Sequence, residues 1–212
     1  MNIDNKSEKF WDMMSSKTDS IASKFSSTYE SSIQQTINYL KKDDYILDYG
    51  CGTGIICNEV SKYAKQIYAI DISSKMIEIA SKKTSERGIT NITYDKKDIK
   101  NISYSEDIFD VIFAFNILHL IKDYDSVICT MNKLLKKNGY LITSTECAGE
   151  NEKSILNKLV KVLIKLNLVP HMTFFTTNVL LEAIKKESFE IIETKSFYNH
   201  NQPNYFVVAQ KK

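Results

Sequence analysis

Proline is scarce in this chain, with two residues among 212, and glycine is little commoner at six. So few breakers leave no rigid linker, and no internal repeat or low-complexity tract divides the sequence. It reads as one domain with a substantial core. Cysteine is sparse too. Cys51, Cys57, Cys129 and Cys147 form no C-x-x-C pair. That pattern argues against a metal site or a disulfide framework and for reduced thiols, the ordinary state in cytoplasm. Charge of one sign is also missing: 28 basic and 26 acidic side chains leave a formal charge of +2. The balance is too even to point to nucleic acid as a partner. No run approaches the roughly 20 apolar residues of a membrane span. Met1 to Lys17 is polar, without the apolar core of a signal peptide. The expectation is a cytoplasmic protein with no metal and no nucleic-acid partner.

What is present is an alternation of strand-like and helix-like segments. The apolar run Tyr45 to Asp48 predicts a strand, and a helix follows from Gly54 to Ala64. Further strands are expected over Gln66 to Ile70, Ile92 to Asp95, Phe109 to Phe115 and Tyr140 to Thr145. Helices run between them from a Ser73-Ser74 cap to Arg87, stopped by Gly88, and from Tyr124 to Lys136, with an Asn138-Gly139 turn after it. This order predicts a parallel sheet covered by helices on both faces. Before it, a short helix is expected over Ser7 to Ser16 and a second helix from about Ile21 to Lys41, with a polar loop at Ser15 to Ser20 between them. After it come an amphipathic helix over Asn151 to Val169, an aromatic loop with His171, Met172, Phe174 and Phe175, and a helix over Thr177 to Lys186. Two final strands, Phe189 to Phe197 and Tyr205 to Gln210, suit an antiparallel hairpin.

Half of the glycines stand at alternate positions in one turn: Gly50, Gly52 and Gly54, between the first strand and the helix that follows. Such a turn lets backbone N–H groups approach a ligand. Its spacing is G-x-G-x-G, and Ile55 occupies the place where a dinucleotide fold wants a small residue. No G-K-[S/T] follows, so it is not a phosphate loop. Asp48, just before the turn, opposes an anion and suits a cation or an amino group. Asp71, Asp98, Asn116 and Glu146 all fall at the carboxyl ends of predicted strands, the edge where ligands of such sheets bind.

Ile46 to Gly54 resembles the first motif of class I S-adenosylmethionine-dependent methyltransferases. The similarity continues through Ile67-Tyr68-Ala69-Ile70-Asp71, the Asp98 loop, Phe109-Asp110-Val111-Ile112 with Asn116-Ile117-Leu118-His119, and Leu134 to Leu141. It covers Asp44 to about Glu146 and is nearest to the small-molecule branch, including the quinone-biosynthesis type. Phe10-Trp11-Asp12 is similar to that branch as well. Where its members often carry Tyr-Asp, this chain has Thr18-Asp19, leaving Phe25 or Tyr29 as candidate aromatic cover for the cofactor.

The resemblance implies an α/β, Rossmann-like three-layer sandwich: a seven-stranded, mostly parallel sheet with an antiparallel C-terminal hairpin and a helical N-terminal lid. The lid is expected over residues 1–42 and the cofactor-binding domain over 43–212, with 147–186 as an acceptor-side helical insertion. The implied cofactor is S-adenosyl-L-methionine, with S-adenosyl-L-homocysteine as product. Gly50, Cys51, Gly52 and Gly54 form the turn against its methionine part, and Asp48 compensates its ammonium. Asp71, about 20 residues after Gly50, is spaced to take the ribose hydroxyls. Ile72 and Met76 flank the adenine, Asp98 accepts from its amino group with Ile99 beside it, and the carbonyl of Phe115 or Asn116 holds the cofactor amine. Plainer roles stay open to these residues: Asp71 as a helix cap, Met76 as core, Asp98 as a solvated loop acid.

Methyl transfer from a sulfonium needs alignment of the reacting atoms and exclusion of water, and a base only where the acceptor must lose a proton. His119 and Glu146 are the candidates for positioning or base, with His171 a third; His119 could equally pack a helix and Glu146 cap one. The expected acceptor is a small, apolar or aromatic molecule. Neither an Asn/Asp-Pro-Pro-Tyr/Phe motif nor a Pro-Cys nucleophile is present, so nucleic-acid methylation is not expected. Alternatives are a non-catalytic cofactor-binding or regulatory module, a nicotinamide-dependent oxidoreductase, which Ile55 disfavours, and a peripheral membrane methyltransferase on a lipid-like acceptor. The last would use the 154–169 helix, where Lys158, Lys161 and Lys165 share a face. The expected assembly is a monomer or homodimer.

Overall fold

The computed structural model describes residues 5–24, 26–102, 104–151, 153–199 and 202–212. Phe25, a candidate for the aromatic cover, lies outside them. The first five strands are β1 (Tyr45–Tyr49), β2 (Gln66–Asp71), β3 (Ile92–Lys96), β4 (Phe109–Phe115) and β5 (Leu135–Glu146). The C-terminal pair is β6 (Phe189–Asn199) and β7 (Gln202–Lys211). They form one seven-stranded sheet in the order β3-β2-β1-β4-β5-β7-β6. Pairing is parallel from β3 through β5 and antiparallel where β7 meets β5 and β6. The expected α/β Rossmann-like sandwich with an antiparallel C-terminal hairpin is what forms. Strand order reverses between β1 and β4, and this opens a crevice at their carboxyl ends.

Side-chain alternation splits the core into two layers. Leu47 and Ile112 point to one face of the sheet, Ile46 and Phe113 to the other, and all four are fully buried. Helices α5 (Tyr124–Leu134) and α7 (Thr177–Lys186) cover the first face through Val127, Ile128, Met131, Leu180 and Ile184. The other face takes Ile56, Cys57 and Val60 of α3 (Ile55–Val60) and Ile33 of α2 (Ser26–Ile37). Helix α4 (Ser74–Glu86) starts at Ser73, whose Oγ accepts the Met76 N–H, and ends before Gly88 in the left-handed region.

Three expectations are corrected. Residues 15–20 are helical, not a loop: α1 runs unbroken over Asn5–Lys24. Its hydroxyls bond backward within the helix, Ser15 Oγ to Asp12 O and Thr18 Oγ1 to Met14 O, so the polar run does not break it. The Asn138-Gly139 turn is absorbed into β5 as a bulge. Pairing steps from Phe109↔Leu135 to Val111↔Tyr140 across it, and Asn138 takes a φ of 64°. The amphipathic helix after β5 is shorter than its pattern: α6 covers Ile155–Lys165, capped by Ser154.

Candidate active site

The glycine turn is set by β2. The Gly50 and Cys51 N–H groups both donate to Ile70 O, at 2.9 and 3.1 Å. That fold-back puts Gly50 at φ 73° with its Cα against Ile117; a Cβ there would lie 2.7 Å from Ile117 Cγ1. Only glycine accepts both the conformation and the approach. The Asp71 carboxylate, one strand away, braces the turn. Its Oδ2 accepts the Gly52 N–H at 3.0 Å and its Oδ1 accepts the Ser73 N–H at 2.9 Å. Burial still pushes its pKa up in spite of these bonds. A carboxylate accepts about four bonds in all, so the group keeps capacity for a further donor.

Asp48 sits beneath the turn, 2% exposed. Its Oδ2 accepts no hydrogen bond among the described residues. Burial, with Asp71 adding like charge and Cys57 opposing through a hydrogen bond, raises its pKa to about 7. A buried acceptor without a partner is expensive unless a ligand donor completes it. Burial, and then Asp48 and Asp71, hold the Cys51 thiol well above its usual range, which disfavours the thiolate that a nucleophile needs.

A cavity of about 810 Å³ opens from this turn along the sheet edge. Asp48, Gly50, Cys51 and Gly52 line one part of it, with Asp71, Ile72, Met76 and Asp98 alongside. Phe115, Asn116, His119 and Glu146 line it as well. Gly54 and Ile99 are not among the lining residues. Gly54 starts α3, where a Cβ would lie 2.6 Å from Tyr94 Oη, so its place is in the packing. Ile99 is fully buried in the core. Asp98 caps a short turn through Lys100 N–H at 3.1 Å.

The walls are completed by Trp11, Thr18 and Tyr29, which the sequence had marked, and by Met14 and Asn204, which it had not. Trp11, Met14 and Thr18 of α1 line the cavity. The helix is pinned there by Asp12, whose Oδ1 takes the Ser73 hydroxyl at 2.5 Å and the Lys75 N–H at 3.1 Å. Asp19 adds a second pin, accepting Thr53 Oγ1 at 2.7 Å and pairing with Lys83 at 2.5 Å. The Phe10-Trp11-Asp12 triplet carried this signal. Tyr29 also lines the cavity, with its hydroxyl accepting from Asn116 Nδ2 at 3.3 Å. Asn204 Nδ2 in turn donates to Asn116 Oδ1 at 2.7 Å, a contact with no local signal in the chain.

Among the lining residues His119 is 6% exposed. Its Nδ1 has no partner among the described residues, and burial lowers its pKa to about 4. Burial raises the Glu146 carboxyl above its usual range. His171 lines the cavity and is paired to Thr173 Oγ1 at 3.0 Å. Of the aromatic loop, Met172, Phe174 and Phe175 do not line it: Phe175 packs into the core against Tyr124, with ring centroids 4.8 Å apart.

A doubly wound sheet with a glycine turn, a strand-end acid and an orphan buried carboxylate at its switch point defines a nucleotide-cofactor-binding α/β protein. The methyltransferase-domain family matches residues 40–204, and the chain belongs to that family, as an S-adenosylmethionine-dependent enzyme. It is 26% identical over 174 residues to a ubiquinone biosynthesis O-methyltransferase of Coxiella burnetii, covering 80% of this chain and 73% of that protein. The YcgJ protein of Bacillus subtilis superimposes with a TM-score of 0.69 at 17% identity, over 86% of this chain and 99% of the other. A phosphoethanolamine N-methyltransferase of Haemonchus contortus, solved with S-adenosylhomocysteine, superimposes with a TM-score of 0.71 at 17% identity, over 84% of this chain and 51% of that one.

Proposed function

We propose that the protein methylates a small, apolar or aromatic molecule, with S-adenosylmethionine held along the glycine turn. The observation that carries this reading is the orphan Asp48 carboxylate, buried beside a turn of bare backbone and opening on the same cavity as His119 and Glu146. The donor set fits the cofactor. Asp48 answers its ammonium, the spare lone pairs of Asp71 take the ribose hydroxyls, and Ile72 and Met76 offer apolar contact to the adenine beside Asp98. When bound, the cofactor supplies a methyl group on a sulfonium, already activated and with a neutral leaving group.

The chain's own task is then to align and shield. At about 810 Å³ the cavity lies toward the upper end of the range for small-molecule sites, which leaves room for an acceptor beyond the cofactor. Ile117, Leu120, Ile121 and Trp11 give the cavity apolar lining, which favours an apolar or aromatic acceptor. Residues 1–42 serve as a lid pinned by Asp12 and Asp19, while the 147–186 segment reaches the acceptor side through Leu156 and His171. A general base works best with a pKa near the working pH. Glu146, raised by burial, meets that condition better than His119, held down at about 4. We assign Glu146 as the base for an acceptor that must lose a proton, and His119 as a neutral group that orients it.

The test is transfer of labelled methyl to a panel of small phenols, quinols and amines, together with calorimetric binding of S-adenosylhomocysteine. Glu146→Gln should lower kcat about 10²-fold or more while product affinity stays unchanged. Failure of the wild-type chain to bind S-adenosylhomocysteine would sink the assignment of the turn. Full activity in Glu146→Gln would sink only the assignment of the base.

A further inference from the structure

Helix α6 turns its apolar side outward. Ile155, Leu159, Val162 and Leu166 follow one another at i, i+4, i+7 and i+11, a single stripe, and they are 84%, 52%, 50% and 63% exposed. The side that faces the protein instead buries the polar Asn157. Its Nδ2 donates to Ala148 O at 2.8 Å and Asn151 O at 3.0 Å. The helix is therefore fastened by this buried amide, with Val160, Leu163 and Ile164 half-buried beside it, while the stripe is left exposed.

Lys158, Lys161 and Lys165 run along one edge of the stripe, and no acid pairs with them among the described residues. Lys161 lies over the Phe174 ring, 4.7 Å from its centroid. From Lys153 to Leu181 the sequence holds four lysines, these three and Lys153, and neither Asp nor Glu. A second copy of the helix would therefore bring apolar surface but no anion to answer the lysines. An anionic bilayer surface brings both, acyl chains for the stripe and phosphates for the lysine edge.

We propose that α6 is an interfacial anchor that lies on an anionic lipid bilayer, with Ile155, Leu159, Val162 and Leu166 inserted and Lys158 and Lys165 at the headgroups. No helix among the described residues is long and apolar enough to cross a membrane, so the attachment is peripheral. Leu156, the residue after Ile155, lines the cavity. The anchor thus sets the acceptor end of the cavity at the bilayer, where an apolar acceptor would be dissolved. That last consequence rests on the proposed function; the attachment itself does not.

The experiment is co-sedimentation of the full chain with vesicles of phosphatidylcholine, with and without phosphatidylglycerol. The parent is compared with Leu159→Ser/Leu166→Ser and Lys158→Gln/Lys165→Gln. These side chains are exposed, so thermal unfolding should stay the same. The parent should bind the anionic vesicles and be released by salt at about 0.5 M. Each lysine removed should cost about five-fold in vesicle affinity, and the leucine variant should not sediment. The proposal is overturned if the parent ignores anionic vesicles, or if it binds neutral and anionic vesicles equally. It is also overturned if the leucine substitutions instead abolish a vesicle-independent dimer, since the stripe would then be an interface between copies. Binding of S-adenosylhomocysteine, measured on the same samples, reports separately on the active-site reading.

Discussion

Replacing Asp48 by Asn should make the ligand-free protein more stable and the cofactor complex weaker. The carboxyl is raised from 3.8 to about 7 chiefly by burial. In the folded chain it holds its proton up to about pH 7, while in the unfolded chain it releases it near 3.8. The folded state binds the extra proton between those limits, so stability falls as pH rises through that window and is level above it. A shift of this size corresponds to about 4 kcal/mol at pH 8. Asn removes the charge at nearly constant shape but introduces an amide donor, and leaving that unpaired costs about 1–3 kcal/mol. The net expectation at pH 8 is a gain of about 1–3 kcal/mol, read as a Tm rise of about 2–4 °C per kcal/mol. At pH 5.5 the gain should shrink by about 2 kcal/mol. Loss of the charge-assisted bond to the cofactor's ammonium should weaken binding about 10- to 150-fold. Scanning calorimetry on the ligand-free protein and titration with S-adenosylhomocysteine measure the two effects. A variant less stable than the parent at pH 8, or one with unchanged affinity, would refute the reasoning.

Two other substitutions probe the same edge. Gly50→Ala forces a side chain onto φ 73° and to 2.7 Å from Ile117 Cγ1, so it should cost about 2 kcal/mol or more in urea unfolding. His119 titrates near 4 in the fold against 6.5 unfolded. The stability tied to its neutral form is therefore complete above pH 6.5 and lost as pH falls toward 4, and His119→Gln should remove about 3 kcal/mol of that acid destabilisation.

The central sheet was legible because its signals are local. β4 begins and ends where its apolar run does, at Phe109 and Phe115. Ser73 and Gly88 mark the ends of α4 through a cap and a left-handed stop that depend only on neighbouring residues. α1 was misread because serine and threonine favour loops by propensity. That preference was overridden by contacts with distant residues, Asp12 at Ser73 and Asp19 at Thr53. The outward stripe of α6 was equally hidden: periodicity shows that an apolar face exists, not which way it points. Asn157 decides that through carbonyls of the preceding loop.

The sequence by itself determined the glycine turn, the acids at the strand ends and the alternation of strands and helices. Each of these is set by backbone conformation or by side-chain period within a few residues. Only the tertiary structure decided what the turn can do. It buried Asp48 with its Oδ2 unpartnered among the described residues, clamped Asp71 to the Gly52 N–H, and brought Trp11, Tyr29 and Asn204 to the same cavity. Burial and long-range contact create the unmet charge and the enclosed volume, and neither is a property of any local stretch of chain.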